Sequence, residues 1–183
     1  MVLLLCGMLF TANTVLAQGM KHWVGGSGEW SDASHWSLTA NGAGGADVPS
    51  ADDAVMVVST TGDIMVLIDQ DAEIAGLQII ADHGAVNIEG NADRLRVGGE
   101  LQLHGSVNWG FAGTVEMTAD QGIADLDLHG IPLGSDLRFT GGGTWSMKSD
   151  LVLRDDRTVE LRAGTLVTNG SMLRAGTLRF TGH

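Results

Sequence analysis

Residues 72–117 read A-E-I-A-G-L-Q-I-I-A-D-H-G-A-V-N-I-E-G-N-A-D-R-L-R-V-G-G-E-L-Q-L-H-G-S-V-N-W-G-F-A-G-T-V-E-M. Short apolar–x–apolar triplets recur through them: Leu77/Ile79, Val86/Ile88, Leu95/Val97, Leu101/Leu103, Val107/Trp109 and Val115/Met117. Alternation with a period of two marks a strand with one buried face. Gly, Asn or Asp separates most of the triplets, so the strands are too short and the turns too frequent for a wide sandwich. Such a pattern suits a solenoid in which each strand pairs with its counterpart one coil along.

The spacing gives the coil. Leu77 to Leu101 is 24 residues, Val86 to Val107 is 21 and Leu95 to Val115 is 20. Further on, Trp145 to Leu166 is 21 and Leu151 to Leu173 is 22. Three strands per coil of about twenty residues predict an all-β fold, a parallel β-helix of the pectin-lyase-like kind. With paired strands ~4.8 Å apart, five or six coils make a rod of roughly 25–30 Å. Trp109 and Phe111 are expected to point inward as an aromatic stack. Arg162-Ala163-Gly164-Thr165-Leu166 recurs as Arg174-Ala175-Gly176-Thr177-Leu178, an echo shorter than one coil.

The totals narrow the function. The chain has 183 residues, 22 acidic against 10 basic side chains and a formal net charge of -12. This length suits one domain with a real core. An acidic surface disfavours nucleic acid and anionic membrane as partners. Gly is abundant, at 27 residues, which points to tight turns.

Met1 to Ala17 is an apolar leader ending in Val15-Leu16-Ala17, a pattern for cleavage before Gln18, although no Lys or Arg precedes its apolar core. The run is too short for a membrane span, so the processed chain is expected not to be an integral membrane protein. The single cysteine, Cys6, lies in the leader, and Leu5 before it is not the small residue that lipidation requires. The mature chain therefore has neither disulfide nor thiolate.

Residues 18–54 read as a Trp/Gly-rich cap and 55–183 as coils, with the junction near Ala51 to Ala54. Trp23, Trp30 and Trp36 lie in the cap, and Gly25, Gly26 and Gly28 allow tight bends. An open solenoid end exposes apolar cross-section and strand edges, and three large rings can plug it. The competing use of the rings is a platform for sugars.

The cap also carries a resemblance. H-W-V-G-G-S-G-E-W-S-D-A-S-H-W-S, residues 22–37, resembles the W-x-G-G-x-G-x-W-S-D-x-x-H-W-S opening block of large secreted bacterial surface proteins known from Bacteroidota, many exported by the type IX secretion system. The segments G-G-T-W-S-M-K-S-D-L-V-L and L-R-A-G-T-L-V-T-N-G-S-M-L-R-A-G-T-L are similar to the repeat phrasing of that family. The resemblance implies a parallel β-helix, a secreted or cell-surface location and adhesin-like roles, and it brings no catalytic residues. Those proteins are often far longer, and the sequence stops at His183 in the middle of the repeat pattern. The expectation is therefore a C-terminally truncated piece of a longer protein, or end-to-end association with other copies of itself.

Asp125-Leu126-Asp127-Leu128-His129 is the best candidate for chemistry. In a strand, Asp125, Asp127 and His129 share one face, and two carboxylates with an imidazole can hold a divalent cation such as Ca²⁺ or do acid–base work. Acidic clusters of this kind hold Ca²⁺ in polysaccharide lyases built on β-helices. The bland alternative is a solvated outer face over stacked leucines, which Glu100-Gln102-His104 repeats. The pairs Asp52/Asp53, Asp69/Asp71 and Asp155/Asp156 read as turns. His22 and His35 flank the cap tryptophans without further ligands in the sequence. The sequence thus favours a non-catalytic structural or adhesin-like module with surface glycans or other copies as partners. The alternative is a carbohydrate-binding or polysaccharide-degrading β-helix.

Overall fold

The computed structural model describes residues 19–182. The leader 1–17, Cys6, the expected new N-terminus Gln18 and the final His183 lie outside the described residues. The chain is an all-β parallel solenoid of about six turns. Its only helical element is the short 3-10 segment Ala33–His35 among the described residues, and no helix there is long and apolar enough to cross a membrane.

Each full coil has three faces. The first carries Asp53–Val58, the start of Gly76–Gly90, the start of Leu101–Trp109, Ile123–Asp127, Thr144–Met147 and Thr165–Val167. The second carries Ile64–Ile68, the ends of the same two long strands, then Leu133, Leu151–Val152 and Leu173–Arg174. The third is a six-stranded sheet running Ala72–Ile74, Arg94–Val97, Thr114–Met117, Asp136–Phe139, Thr158–Leu161 and Thr177–Phe180. The first two faces merge into one sheet where Gly76–Gly90 and Leu101–Trp109 round the corner without breaking, with a register shift between Ala81 and Val86.

The five sequence spacings are the five registers. Leu77 pairs with Leu101, Val86 with Val107, Leu95 with Val115, Trp145 with Leu166 and Leu151 with Leu173. The reason is steric. Parallel in-register pairing places like side chains above one another, so each apolar residue finds an apolar neighbour in the next coil and a slip by one residue would turn every buried side chain outward. The interior is accordingly a continuous stack, with Leu77, Leu101, Leu95, Val115, Leu137 and Trp145 all 0–1% exposed.

Two details differ from the sequence expectation, and a third gives the R-A-G-T-L echo its place within one coil. The ladder begins inside the stretch read as a cap, for Gly19–Trp23 already pairs in parallel with Asp53–Val58 and Gly28–Glu29 with Ile64–Ile68. Trp109 and Phe111 are both buried, but Ser135 joins them by hydrogen bonding: Trp109 Nε1 donates to Ser135 Oγ at 2.8 Å, and Ser135 Oγ donates to the Phe111 carbonyl at 2.8 Å. The aromatic pair in this part of the core is instead Phe139 with Trp145, centroids 4.8 Å apart. Finally, the R-A-G-T-L echo enters two different faces of one coil, the first at Thr165–Val167 and the third at Thr177–Phe180. Both glycines sit at corners pressed on the coil below: a Cβ on Gly164 would lie 2.4 Å from the Gly143 carbonyl oxygen, and one on Gly176 2.0 Å from that of Asp155.

Leu101→Ala is expected to lower unfolding free energy by about 2–5 kcal/mol, because a cavity in a stacked interior has no loop to collapse into it. Ile123→Ala, at a side chain 75% exposed, is expected to change it by less than about 0.5 kcal/mol. Urea unfolding followed by far-UV circular dichroism measures both.

Candidate functional site

The opening block W-x-G-G-x-G-x-W-S-D-x-x-H-W-S is used almost residue by residue to close one end of the solenoid. Trp23, Trp30 and Trp36 are 5%, 1% and 0% exposed. Trp36 is the hub, meeting Trp23 edge-on at 5.0 Å and Trp30 at 4.8 Å, and its Nε1 donates to the Trp30 carbonyl at 2.7 Å. The His35 ring lies flat on Trp23 at 4.7 Å and bonds the Val24 carbonyl through Nδ1 at 2.8 Å.

Gly25 and Gly26 both take positive φ, 82° and 84°, so that the chain can reverse over Trp23, whose Nε1 donates to the Gly26 carbonyl at 2.6 Å. Gly28 leaves room for the imidazole, since a Cβ there would lie 2.0 Å from His35 Nε2. Ser31 ties the block to the coil below through Asp69, by its N–H at 3.0 Å and its hydroxyl at 2.5 Å. Asp32 caps the 3-10 turn by accepting from the Ser34 N–H at 2.9 Å, and that bond, with a lesser one from the Ser34 side chain, holds its carboxyl below the usual range. Burial leaves no tryptophan face of this block for a sugar ring. His35 is occupied by packing.

The Asp125, Asp127 and His129 constellation does not assemble as a strand would place it. The strand ends at Asp127, and His129 takes a left-handed φ of 50° in the turn that follows, where its N–H and that of Leu128 both donate to Ser149 Oγ. Asp127 and His129 still come together, whereas Asp125 goes to another partner. Asp125 pairs with Lys148 of the next coil at 3.2 Å. Asp127 Oδ1 lies 3.3 Å from His129 Nδ1, which also meets the Leu103 carbonyl at 3.0 Å. The His129 ring stands edge-on to His104 at 5.0 Å, and His104 Nε2 lies 3.6 Å from Asp82. Among the described residues no group of three or more His, Cys, Asp or Glu side chains converges as a cation site requires, so Ca²⁺ at Asp125, Asp127 and His129 finds no geometric basis.

The remaining acidic pairs do other work. Asp71 Oδ1 accepts from the N–H groups of Asp93 and Arg94 at 3.0 and 2.9 Å. Asp63, Asp136 and Asp150 likewise accept backbone N–H groups of Ala85, Thr158 and Met172 at 2.7–2.8 Å. In each case a carboxylate at a corner satisfies a donor one coil further on that would otherwise lack a partner. Asp53 accepts from Ser50, and Asp155 pairs with Arg174 at 2.9 Å.

The most developed polar structure was not expected from the sequence. Down the outside of the third face, register stacks Glu73 on Arg96, Arg96 on Glu116, Glu116 on Arg138, Arg138 on Glu160 and Glu160 on Arg179. The sign alternates at every coil. Arg96 reaches Glu73 at 3.4 Å and Glu116 at 3.2 Å, and Arg138 reaches Glu116 at 3.0 Å and Glu160 at 2.9 Å. Each interior glutamate is sandwiched between two cations, and Glu116 and Glu160 are only 7% and 9% exposed. Hydrogen bonding to Glu116 raises the Arg96 pKa. Burial alone would lower that of Arg138, and its bonds to Glu160 and Glu116 more than offset this. Arg162, at 3.0 Å, and then Arg138 hold the Glu160 carboxyl below its ordinary value.

The signal was present in the sequence as A-E-I, L-R-V, V-E-M, L-R-F, V-E-L and L-R-F, one triplet per coil at residues 72–74, 95–97, 115–117, 137–139, 159–161 and 178–180. It becomes visible only when the middle residues are read down a column. Shorter ladders flank it, Gln78 donating to Gln102 at 3.1 Å and Asn108 to Asn87 at 2.9 Å. Comparison of the chain with protein-family models, with curated proteins and with solved structures finds no match.

The lowered Glu160 pKa fixes a sign. A carboxyl with a lower pKa folded than unfolded adds stability that is complete above the unfolded value and disappears as pH falls through the folded one. Stability is expected to fall on acidification below about pH 4.5, the ordinary glutamate range, with a smaller fall in Glu160→Gln. Urea midpoints measured from pH 7 to pH 3 check this.

Proposed function

We propose that the chain is a structural, adhesin-like module of a secreted or cell-surface bacterial protein: a stiff acidic solenoid that spaces or displays its surroundings and has no catalytic role of its own. The observation that carries this reading is where the outward polar side chains are spent. Glu73, Arg96, Glu116, Arg138 and Glu160 bond from coil to coil, the corner aspartates accept N–H groups of the next coil, and the best candidates for chemistry, Asp125 and Asp127, are paired with Lys148 and His129. A surface built this way resists bending and local opening.

The location rests on the apolar leader ending in Val15-Leu16-Ala17 and on the likeness of residues 22–37 to the opening block of secreted surface proteins. Surface glycans and other copies of the protein are the partners this reading offers. A formal net charge of -12 opposes nucleic acid.

Two measurements test the reading. Residues 1–17 placed ahead of a reporter are expected to export it, and mass spectrometry of the exported full chain is expected to find Gln18 at its N-terminus. Retention of the reporter in the cytoplasm overturns the location. The purified chain is expected to release no product from a panel of acidic and neutral polysaccharides, with or without Ca²⁺. Turnover that disappears in a folded Asp127→Ala variant establishes the degrading enzyme instead.

A further inference from the structure

The outside of the second face carries a gap in the middle of the rod. Ile88 pairs with Trp109, Trp109 with Leu133 and Leu133 with Leu153. The residues that follow them, Glu89, Gly110, Gly134 and Arg154, therefore share one outward column over four successive coils. On the third face acid and base stand in adjacent coils and bond directly. Here two glycines separate them, and a cavity of about 280 Å³ lies between, bounded by Glu89, Val107, Asn108, Gly110, Pro132 and Arg154. We infer that this cavity binds a free α-amino acid, with its carboxylate on Arg154, its ammonium on Glu89 and an apolar side chain against Val107 and Pro132.

Both charged groups are aimed into the gap. The Glu89 carboxylate occupies the space that a Cβ on Gly110 would take, and the guanidinium carbon of Arg154 lies 3.3 Å from where a Cβ on Gly134 would be. Each side chain thus leans one coil toward the other. Among the described residues neither has an ion pair within 4.0 Å. For Arg154 this is unusual. Acidic side chains outnumber basic ones 22 to 10, and most cations have found a carboxylate, among them Arg94, Lys148 and Arg174. The glycine at 110 points the same way. Gly134 has a backbone reason to be glycine, since a Cβ would lie 2.8 Å from the Trp109 carbonyl oxygen, but the atoms nearest a Cβ on Gly110 all belong to Glu89. Gly110 has no positive φ either. What glycine provides at 110 is the seat of the carboxylate.

Charge complementarity selects the class of ligand. An anion would meet Arg154 and be repelled by Glu89, and a cation would meet the reverse. A neutral sugar would leave both charges unmatched. A carboxylate and an ammonium on one carbon satisfy both: the planar guanidinium takes the carboxylate through two parallel N–H bonds, and the ammonium donates to Glu89. The volume stands near the lower end, roughly 300 Å³, of small-molecule sites, which suits a single amino acid. This site is independent of the glycans and second copies offered above as partners.

The full chain is titrated with L-leucine and followed by NMR at the Gly110 and Gly134 amides. Both are expected to shift and to saturate at about 1–10 mM. N-acetyl-L-leucine lacks the ammonium, L-leucinamide lacks the carboxylate and glucose lacks both, and each is expected to bind about tenfold more weakly or not at all. Gly110→Ala, whose new Cβ meets only the Glu89 side chain, is expected to keep the fold, displace the carboxylate and weaken leucine about tenfold, and Arg154→Gln to do the same by removing the cation. No shift at about 50 mM leucine, equal binding of a blocked derivative or of glucose, or undiminished binding in Gly110→Ala overturns the inference. So does a direct Glu89–Arg154 pair in solution, seen as an equal loss of thermal stability in Glu89→Gln, Arg154→Gln and the double variant without leucine binding.

Discussion

Parallel, in-register stacking of one coil on the next is the constraint from which the rest of this molecule follows. The side-chain period along a strand is two, while the coil length varies: Leu77 and Leu101 are paired across 24 residues, Leu95 and Val115 across 20. The variation is absorbed at the corners, where turns lengthen or shorten, and never within the faces, where a change of one residue would turn the buried side chains outward. Many of the glycines and several of the aspartates therefore stand at or next to corners. Gly164 and Gly176 let the backbone touch the coil below, and Asp63, Asp71, Asp136 and Asp150 satisfy the N–H groups that the corners of the next coil leave without a strand partner.

Stacking has a second consequence on the outside. An outward residue meets its counterparts above and below, so a column of like charges would repel and a column of alternating charges attracts. The third face takes the second course over six coils, from Glu73 to Arg179. An isolated exposed ion pair is worth little, but the interior members here are flanked on both sides, and Glu116 and Glu160 are nearly buried. In a solenoid, where each coil touches only its neighbours, such a column also sets the phase in which coils follow one another. An acidic coil is matched by a basic one, and a slip by one coil brings like charges together.

Much of this was legible in the sequence because in-register stacking maps onto spacing. The triplets Leu77/Ile79, Leu101/Leu103 and Val115/Met117 gave the strand pattern, and the distances between them gave the registers. The tryptophans were legible too, since rings that large in a loop-rich terminal unit must be buried somewhere. What escaped was of two kinds. The charge column lies between residues about twenty apart and appears only once the register is known. The Asp125, Asp127 and His129 alignment assumed that the strand continued to His129, whereas the left-handed His129 begins a turn there. Alternation of leucines with polar residues is preserved through such a turn, because Leu128 remains buried, so the pattern alone cannot mark where the strand stops.

The first rung shows how side chains cover a stack of coils. At the N-terminal end the parallel ladder stops at Gly19–Trp23, and the antiparallel Trp36–Ser37 closes it. Trp36 lies between Trp23 and Trp30 over the cross-section, and each of the glycines, Ser31, Asp32 and His35 has a part in holding those rings. Residues 22–37 thus cover the first described rung by ring packing. The phrase L-R-F-T-G of residues 137–141, on which the next coil of the third face is seated, returns at residues 178–182. Closure of the first rung is therefore written in ring packing, and continuation from coil to coil in the apolar–charged–apolar phrases of the third face.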